Sequence, residues 1–238
     1  YALKDDTGSY FMPVGCFLLP GSPNVLIDLG LGPLSRAEWE IDLQGGKLLS
    51  RLADVGLSPQ DIGVVALSHL HVDHAGWLGG MDGEPVFPDA EVYLGQGDWD
   101  YFVAGEPEMP LDAPVHAALL ELADRGRLVL LDDDRQVAPG VTRLAAPGHT
   151  PGHSVFAVHD HGERALLLGD SIYCPLQLTE TDWAISIDVD AVAAKRTRER
   201  YLRELEAHGD LGVGCHFPEL RAGRVLGGEW VDTPAPAH

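Results

Sequence analysis

Residues 68–77 read SHLHVDHAGW and place three histidines and an aspartate within six positions. Such a cluster is costly to bury without a partner and has little purpose when exposed. The apolar run just before it, DIGVVALSH (61–69), has the length and β-branched content of a buried strand. No single regular strand or helix aims His69, His71, Asp73 and His74 at one point. A strand end curling into a helix start can divide them between two neighbouring positions.

The same arrangement recurs along the chain. His149 lies in APGHTPGH after the apolar stretch GVTRLAA, Asp170 ends RALLLGD, and His216 follows LGVGC. Each polar cluster falls just past an apolar strand, where a layered α/β domain carries its functional loops. Five histidines and two aspartates result. Imidazole nitrogen and carboxylate oxygen suit zinc, and seven donors exceed the needs of one tetrahedral ion. They fit two ions with one carboxylate shared and a hydroxide closing the shells. Gly76, Gly148, Gly152 and Gly169 let the backbone pass close to such a site. His116, His159, His161, His208 and His238 read as hydrogen-bonded core histidines rather than ligands. His153 is open between a residue supporting a ligand and a structural one.

Outward from these clusters, YFMPVGCFLLP (10–20) and NVLIDLG (24–30) read as a strand pair about a Pro-Gly-Ser-Pro turn. Leu48, Leu49, Leu52 and Val55 recur at helical spacing and Gly56 supplies a stop. Residues 78–91 read as loop, 91–95 as strand and 114–125 as helix. RLVLLDD, GVTRLAAPGH, HSVFAVHD and RALLLGD read as short strands separated by turns. Residues 189–207 form the longest amphipathic helix, with Val192, Ala193, Tyr201, Leu202 and Leu205 as its expected buried side, and 211–219 a last strand and turn. Without a long linker or short repeat, the chain reads as one domain over 1–232 with a flexible tail at 233–238.

The 238 residues carry 37 acidic against 16 basic side chains, a formal charge of −21. Such a surface repels polyanions, which argues against nucleic acid and anionic membranes as partners. No apolar run approaches the roughly 18 residues of a membrane span. No signal-peptide pattern is visible at the start, so a cytoplasmic location is the expectation. Cys16, Cys174 and Cys215 form neither a disulfide framework nor a CxxC zinc site. Cys215 beside His216 suggests a nucleophile pair, but alternation along a strand would turn the thiol away as an inert buried group. No GxSxG elbow, GxxxxGK[ST] loop or GxGxxG opening is present.

HxHxDH, the glycine-flanked histidine of PGHTPGH, an aspartate ending an apolar strand and a late histidine together resemble the metallo-β-lactamase superfamily, over about residues 10–225. The resemblance implies an α/β fold, an αββα sandwich with the metals at one edge of the two sheets. It implies two zinc ions per chain, or other divalent transition metals. His69, His71 and His149 would hold the first, Asp73, His74 and His216 the second, with Asp170 bridging.

The stretch from Gly169 to Leu202 resembles most the branch of N-acyl-homoserine lactonases and methyl-parathion-type hydrolases. Tyr173 stands where lactonases of that branch place a tyrosine on the substrate carbonyl. The expected activity is hydrolysis of a small carbonyl ester, foremost a lactone, by a metal-bridging hydroxide, with Asp73 orienting it and carrying a proton. An arylesterase or phosphotriesterase on the same site is the alternative, and a non-catalytic metal-binding or sensing module the remote one. Trp77, Leu78, Phe102, Met109 and Trp183 are candidates for an apolar wall around an acyl chain. The oligomeric state stays open, a homodimer included.

Overall fold

The computed structural model describes residues 3–4, 10–38 and 41–233. The chain divides into two compact units, residues 16–132 and residues 1–15 with 133–238.

In the unit of residues 16–132, β1 (Phe17–Leu19), β2 (Asn24–Ile27), β3 (Ile62–Ala66), β4 (Glu91–Gly95) and β5 (Leu128–Leu131) form one sheet in that order. β1 and β2 pair antiparallel about the expected turn, and the remaining pairs are parallel. Ile62, Val64, Val65 and Ala66 of β3 are all buried, which explains its unbroken apolar run. Helix α1 (Leu48–Asp54) buries Leu52, while Val55 caps its end and is exposed. Gly56 ends the helix at φ 78°, a conformation glycine adopts without steric cost. Helix α2 (Val72–Ala75) is a single turn. Helix α3 (Ala113–Asp124) buries Val115, Ala118, Leu119 and Leu122, the i, i+3, i+4, i+7 stripe of a core-facing helix. They join Leu26, Val65, Leu67 and Leu94 in one core. A helical segment at Gln96–Val103 and a hairpin of Ser35–Glu38 with Ile41–Gln44 were not anticipated.

The other unit holds a seven-stranded sheet: β6 (Arg135–Ala138), β7 (Val141–Ala145), β8 (Ser154–Asp160), β9 (Glu163–Leu167), β10 (Leu211–Val213), β11 (Gly223–Leu226) and β12 (Glu229–Asp232). Only β9 and β10 run parallel, and helix α4 (Ala191–His208) lies between them in sequence. Of the expected α4 face, Tyr201 and Leu205 are buried, while its first turn differs. Ala194, Thr197, Arg198, Tyr201 and Leu205 are buried, whereas Val192 is 63% exposed. The Asp190 carboxylate caps the helix by accepting from the N–H groups of Val192 and Ala193, which fixes Val192 in the first turn and in solvent. The β11–β12 hairpin was missed although Gly227 and Gly228, both at positive φ, are the residues a two-residue turn favours. Of the expected tail, residues 234–238 lie outside the described residues.

Candidate metal centre

The polar clusters sit where strands end. In the first unit β3 leads into residues 68–76, where His71 stays extended and His74 enters the one turn of α2. The buried Asp28 organises this half. Its Oδ1 accepts the Ser68 N–H at 2.7 Å, and its Oδ2 accepts the Ser68 hydroxyl at 2.8 Å. The same Oδ2 lies 3.0 Å from His74 Nδ1, so Nδ1 carries the proton and Nε2 the lone pair. His69 Nε2 and His71 Nδ1 approach to 3.0 Å, and the His69 and His74 ring centroids are 4.0 Å apart. Asp73 Oδ2 lies 3.8 Å from His74 Nε2, and its side chain is 18% exposed. Asp98 accepts the N–H of Leu70 at 3.2 Å. A Cβ on Gly76 would stand 2.3 Å from the backbone of Leu31, so the turn after His74 requires glycine.

In the second unit Asp170 is the hub. Its Oδ2 lies 3.3 Å from His149 Nε2, and its Oδ1 lies 3.3 Å from His216 Nε2. His149 Nδ1 donates to Asp188 Oδ1 at 2.9 Å, and His216 Nδ1 donates to the Pro13 carbonyl at 2.7 Å. Each ring is thereby held as the tautomer whose Nε2 lone pair faces a carboxylate oxygen. Two acceptors facing each other in a buried site repel unless a cation lies between them. A divalent metal ion satisfies that arrangement, and the neutral imidazole and carboxylate donors are the set such an ion takes. The donor chemistry therefore fits the metal that the sequence implies.

Burial alone would raise the Asp188 carboxyl. The hydrogen bonds from His149 and the Ile185 N–H, with the charge of Arg198, outweigh it and hold the group below the usual carboxylate value. His153 is buried, and its Nε2 accepts the N–H of Asp170 at 3.0 Å. It supports the loop of the aspartate. Tyr173 lies against His216, ring centroids 4.3 Å apart and tilted by 34°, and its N–H donates to Gln177 Oε1 at 2.7 Å.

Several expectations need correction. Cys215 does not face away from the site: its thiol donates to Asp170 Oδ1 at 3.0 Å. The alternation argument failed because β10 ends at Val213 and residues 215–216 lie in a turn. Leu78 is 1% exposed within the core of its unit and is withdrawn from the apolar wall. Phe102 is also largely buried, its ring nearly perpendicular to that of His71 with centroids 5.6 Å apart. Trp77 is half-buried, whereas Met109 and Trp183 are exposed. His159, His161 and His208 are exposed and His116 half-buried, so none is a core histidine; His238 lies outside the described residues. Sequence reasoning missed Asp28, Asp98, Asp188 and Gln177. Only Asp28 carried a signal, as the aspartate ending the apolar run of IDLG.

A family model described as the metallo-beta-lactamase superfamily matches residues 10–211. The N-acyl homoserine lactonase AiiA of Bacillus thuringiensis subsp. kurstaki is 28% identical over 178 residues, covering 68% of this chain and 65% of that protein. The match thus spans slightly less than two thirds of that relative's length. The lactonase AiiB of Agrobacterium fabrum is 33% identical over 133 residues, 53% of this chain and 46% of that one. Among solved structures, the dizinc quorum-quenching lactonase AidC aligns with a TM-score of 0.80 at 23% identity, over 95% of this chain and 81% of that chain. The hydrolase AbOPH aligns with a TM-score of 0.80 at 24% identity, over 99% of this chain and 84% of that chain. These likenesses establish the metallo-β-lactamase fold with its mixed sheets. Among the described residues, no helix is long and apolar enough to cross a membrane. With a family match over most of its length and its polar clusters at the strand ends, the chain belongs to the metallo-beta-lactamase superfamily.

Proposed function

We propose that this protein is a metal-dependent hydrolase of lactones with two divalent metal ions, zinc foremost. His69, His71 and His149 would hold one ion, and Asp73, His74 and His216 the other, with Asp170 shared. The observation that carries this reading is the division of Asp170: its two oxygens face two different imidazoles, each at 3.3 Å. A carboxylate that merely paired with one histidine would not be split in that way.

Divalent ions at such a site polarise a carbonyl oxygen and acidify water to near neutrality. The chain's own side chains supply the rest. Asp73 is the most accessible of the carboxylates in the donor set, and its oxygen can accept a proton from the attacking water and return it to the leaving alkoxide. The Tyr173 phenol, packed against the His216 ring on a backbone whose N–H Gln177 accepts, can donate to the carbonyl oxygen as negative charge grows on it. Trp77, Met109 and Trp183 offer apolar surface for an acyl chain. The kinship with N-acyl homoserine lactonases supports a lactone over other esters.

A panel of N-acyl homoserine lactones, simple lactones, aryl esters and aryl phosphotriesters, run with metal-loaded and metal-stripped protein, tests the reading. Lactones should give the highest kcat/KM, and stripping should abolish turnover. A preference for phosphotriesters over every lactone would reassign the enzyme to organophosphate hydrolysis.

A further inference from the structure

His149 is tied to residues that no motif announced. Its Nδ1 donates to Asp188, whose other oxygen accepts the Ile185 N–H at 3.2 Å and faces Arg198 Nη1 at 3.5 Å. The side chains of Asp188 and Arg198 are essentially fully buried. Arg198 Nε donates to the Thr181 carbonyl at 3.2 Å. The backbone is clamped in the same place. Val189 N–H donates to the His149 carbonyl at 3.0 Å, and Asp190 N–H to the Gly148 carbonyl at 2.9 Å. The Thr197 hydroxyl donates to the Pro147 carbonyl at 2.7 Å. A Cβ on Gly148 would stand 2.1 Å from Ala194 N, so only glycine lets this loop meet the start of α4.

A buried carboxylate and a buried guanidinium are a costly way to pack a helix, and well-packed apolar side chains serve stability as well or better. What the carboxylate does that an apolar group cannot is fix the proton on Nδ1 and increase the basicity of Nε2. Arg198 offsets the buried charge without taking over the Asp188 oxygen that His149 uses. We infer that Asp188, backed by Arg198, is a positioning residue that sets the metal affinity of His149. This inference rests on the reading of His149 as a metal ligand.

The test measures zinc affinity of the full-length protein by competition with a chromophoric chelator, alongside the fold and melting temperature of the metal-free form. Asp188→Asn keeps an acceptor for the Nδ1–H but loses the charge, and should bind its weaker-held zinc about 10- to 100-fold less tightly. The double variant Asp188→Asn/Arg198→Met removes both buried charges, so it guards against misfolding caused by an unpaired Arg198. It should show the same loss. Arg198→Lys keeps a cation beside Asp188 and should retain nearly wild-type affinity. Wild-type zinc affinity in a folded Asp188→Asn or in the double variant would overturn the inference. Failure of the wild-type protein to bind zinc at all would instead overturn the metal reading on which it rests.

Discussion

The thiol of Cys215 points at Oδ1 of Asp170 from 3.0 Å, and His216 Nε2 reaches the same oxygen from 3.3 Å. Adjacent residues thus converge on one carboxylate atom, because the turn after β10 does not alternate as a strand would. Cys215 is fully buried, with its sulfur against Asp170.

The consequence for mutation is specific. Cys215→Ser keeps a donor for Asp170 and should retain metal content and most activity. Cys215→Val removes the donor and should weaken metal binding by about tenfold or more, as partners of ligating carboxylates do. Chelator competition on both variants checks this, and equal affinities would show that the hydrogen bond is idle.

Tyr173→Phe isolates the phenol. Removing a donor aimed at a developing oxyanion costs on the order of 10² to 10³ in rate, and a metal sharing the charge brings the effect towards or below the lower end. kcat for lactones should fall with metal content unchanged. An unaltered kcat would reduce Tyr173 to packing against His216.

What was legible was a set of residues able to donate to a metal, because such residue types are few and these cluster at strand ends. The strands bearing them were legible for a related reason: β3 and β9 are short apolar runs closed by polar residues. Asp188 and Arg198 were not legible. One is among many acidic residues in a chain of charge −21, and the other is a charged residue buried on α4 beside Ala194, Tyr201 and Leu205, where an apolar pattern gives no signal for it. Cys215 was misread because the strand ended two residues earlier than its apolar sequence suggests.

Alkaline stability provides an independent check on the packing of α4. Burial holds the Tyr201 phenol far above its ordinary value of 10.0. The unfolded chain therefore releases this proton first as pH rises. The stability linked to it is fully present below about pH 10 and is lost progressively above that. Tyr201→Phe should flatten this alkaline loss while costing only about 1 kcal/mol near neutrality, the worth of a weak hydrogen bond to the Ala145 carbonyl. Melting curves of both proteins across that range decide the matter. Parallel curves would show that Tyr201 does not govern the alkaline limit.

The shared carboxylate of Asp170 is the centre of the account, and metal stoichiometry tests it most directly. Protein purified without chelator should contain two divalent transition-metal ions per chain by elemental analysis. Asp170→Ala should lose both or hold them weakly. Acid should release them together with activity, as the ligating imidazoles gain protons. One ion per chain, or none, in protein that retains its hydrolytic activity would contradict the shared-carboxylate site.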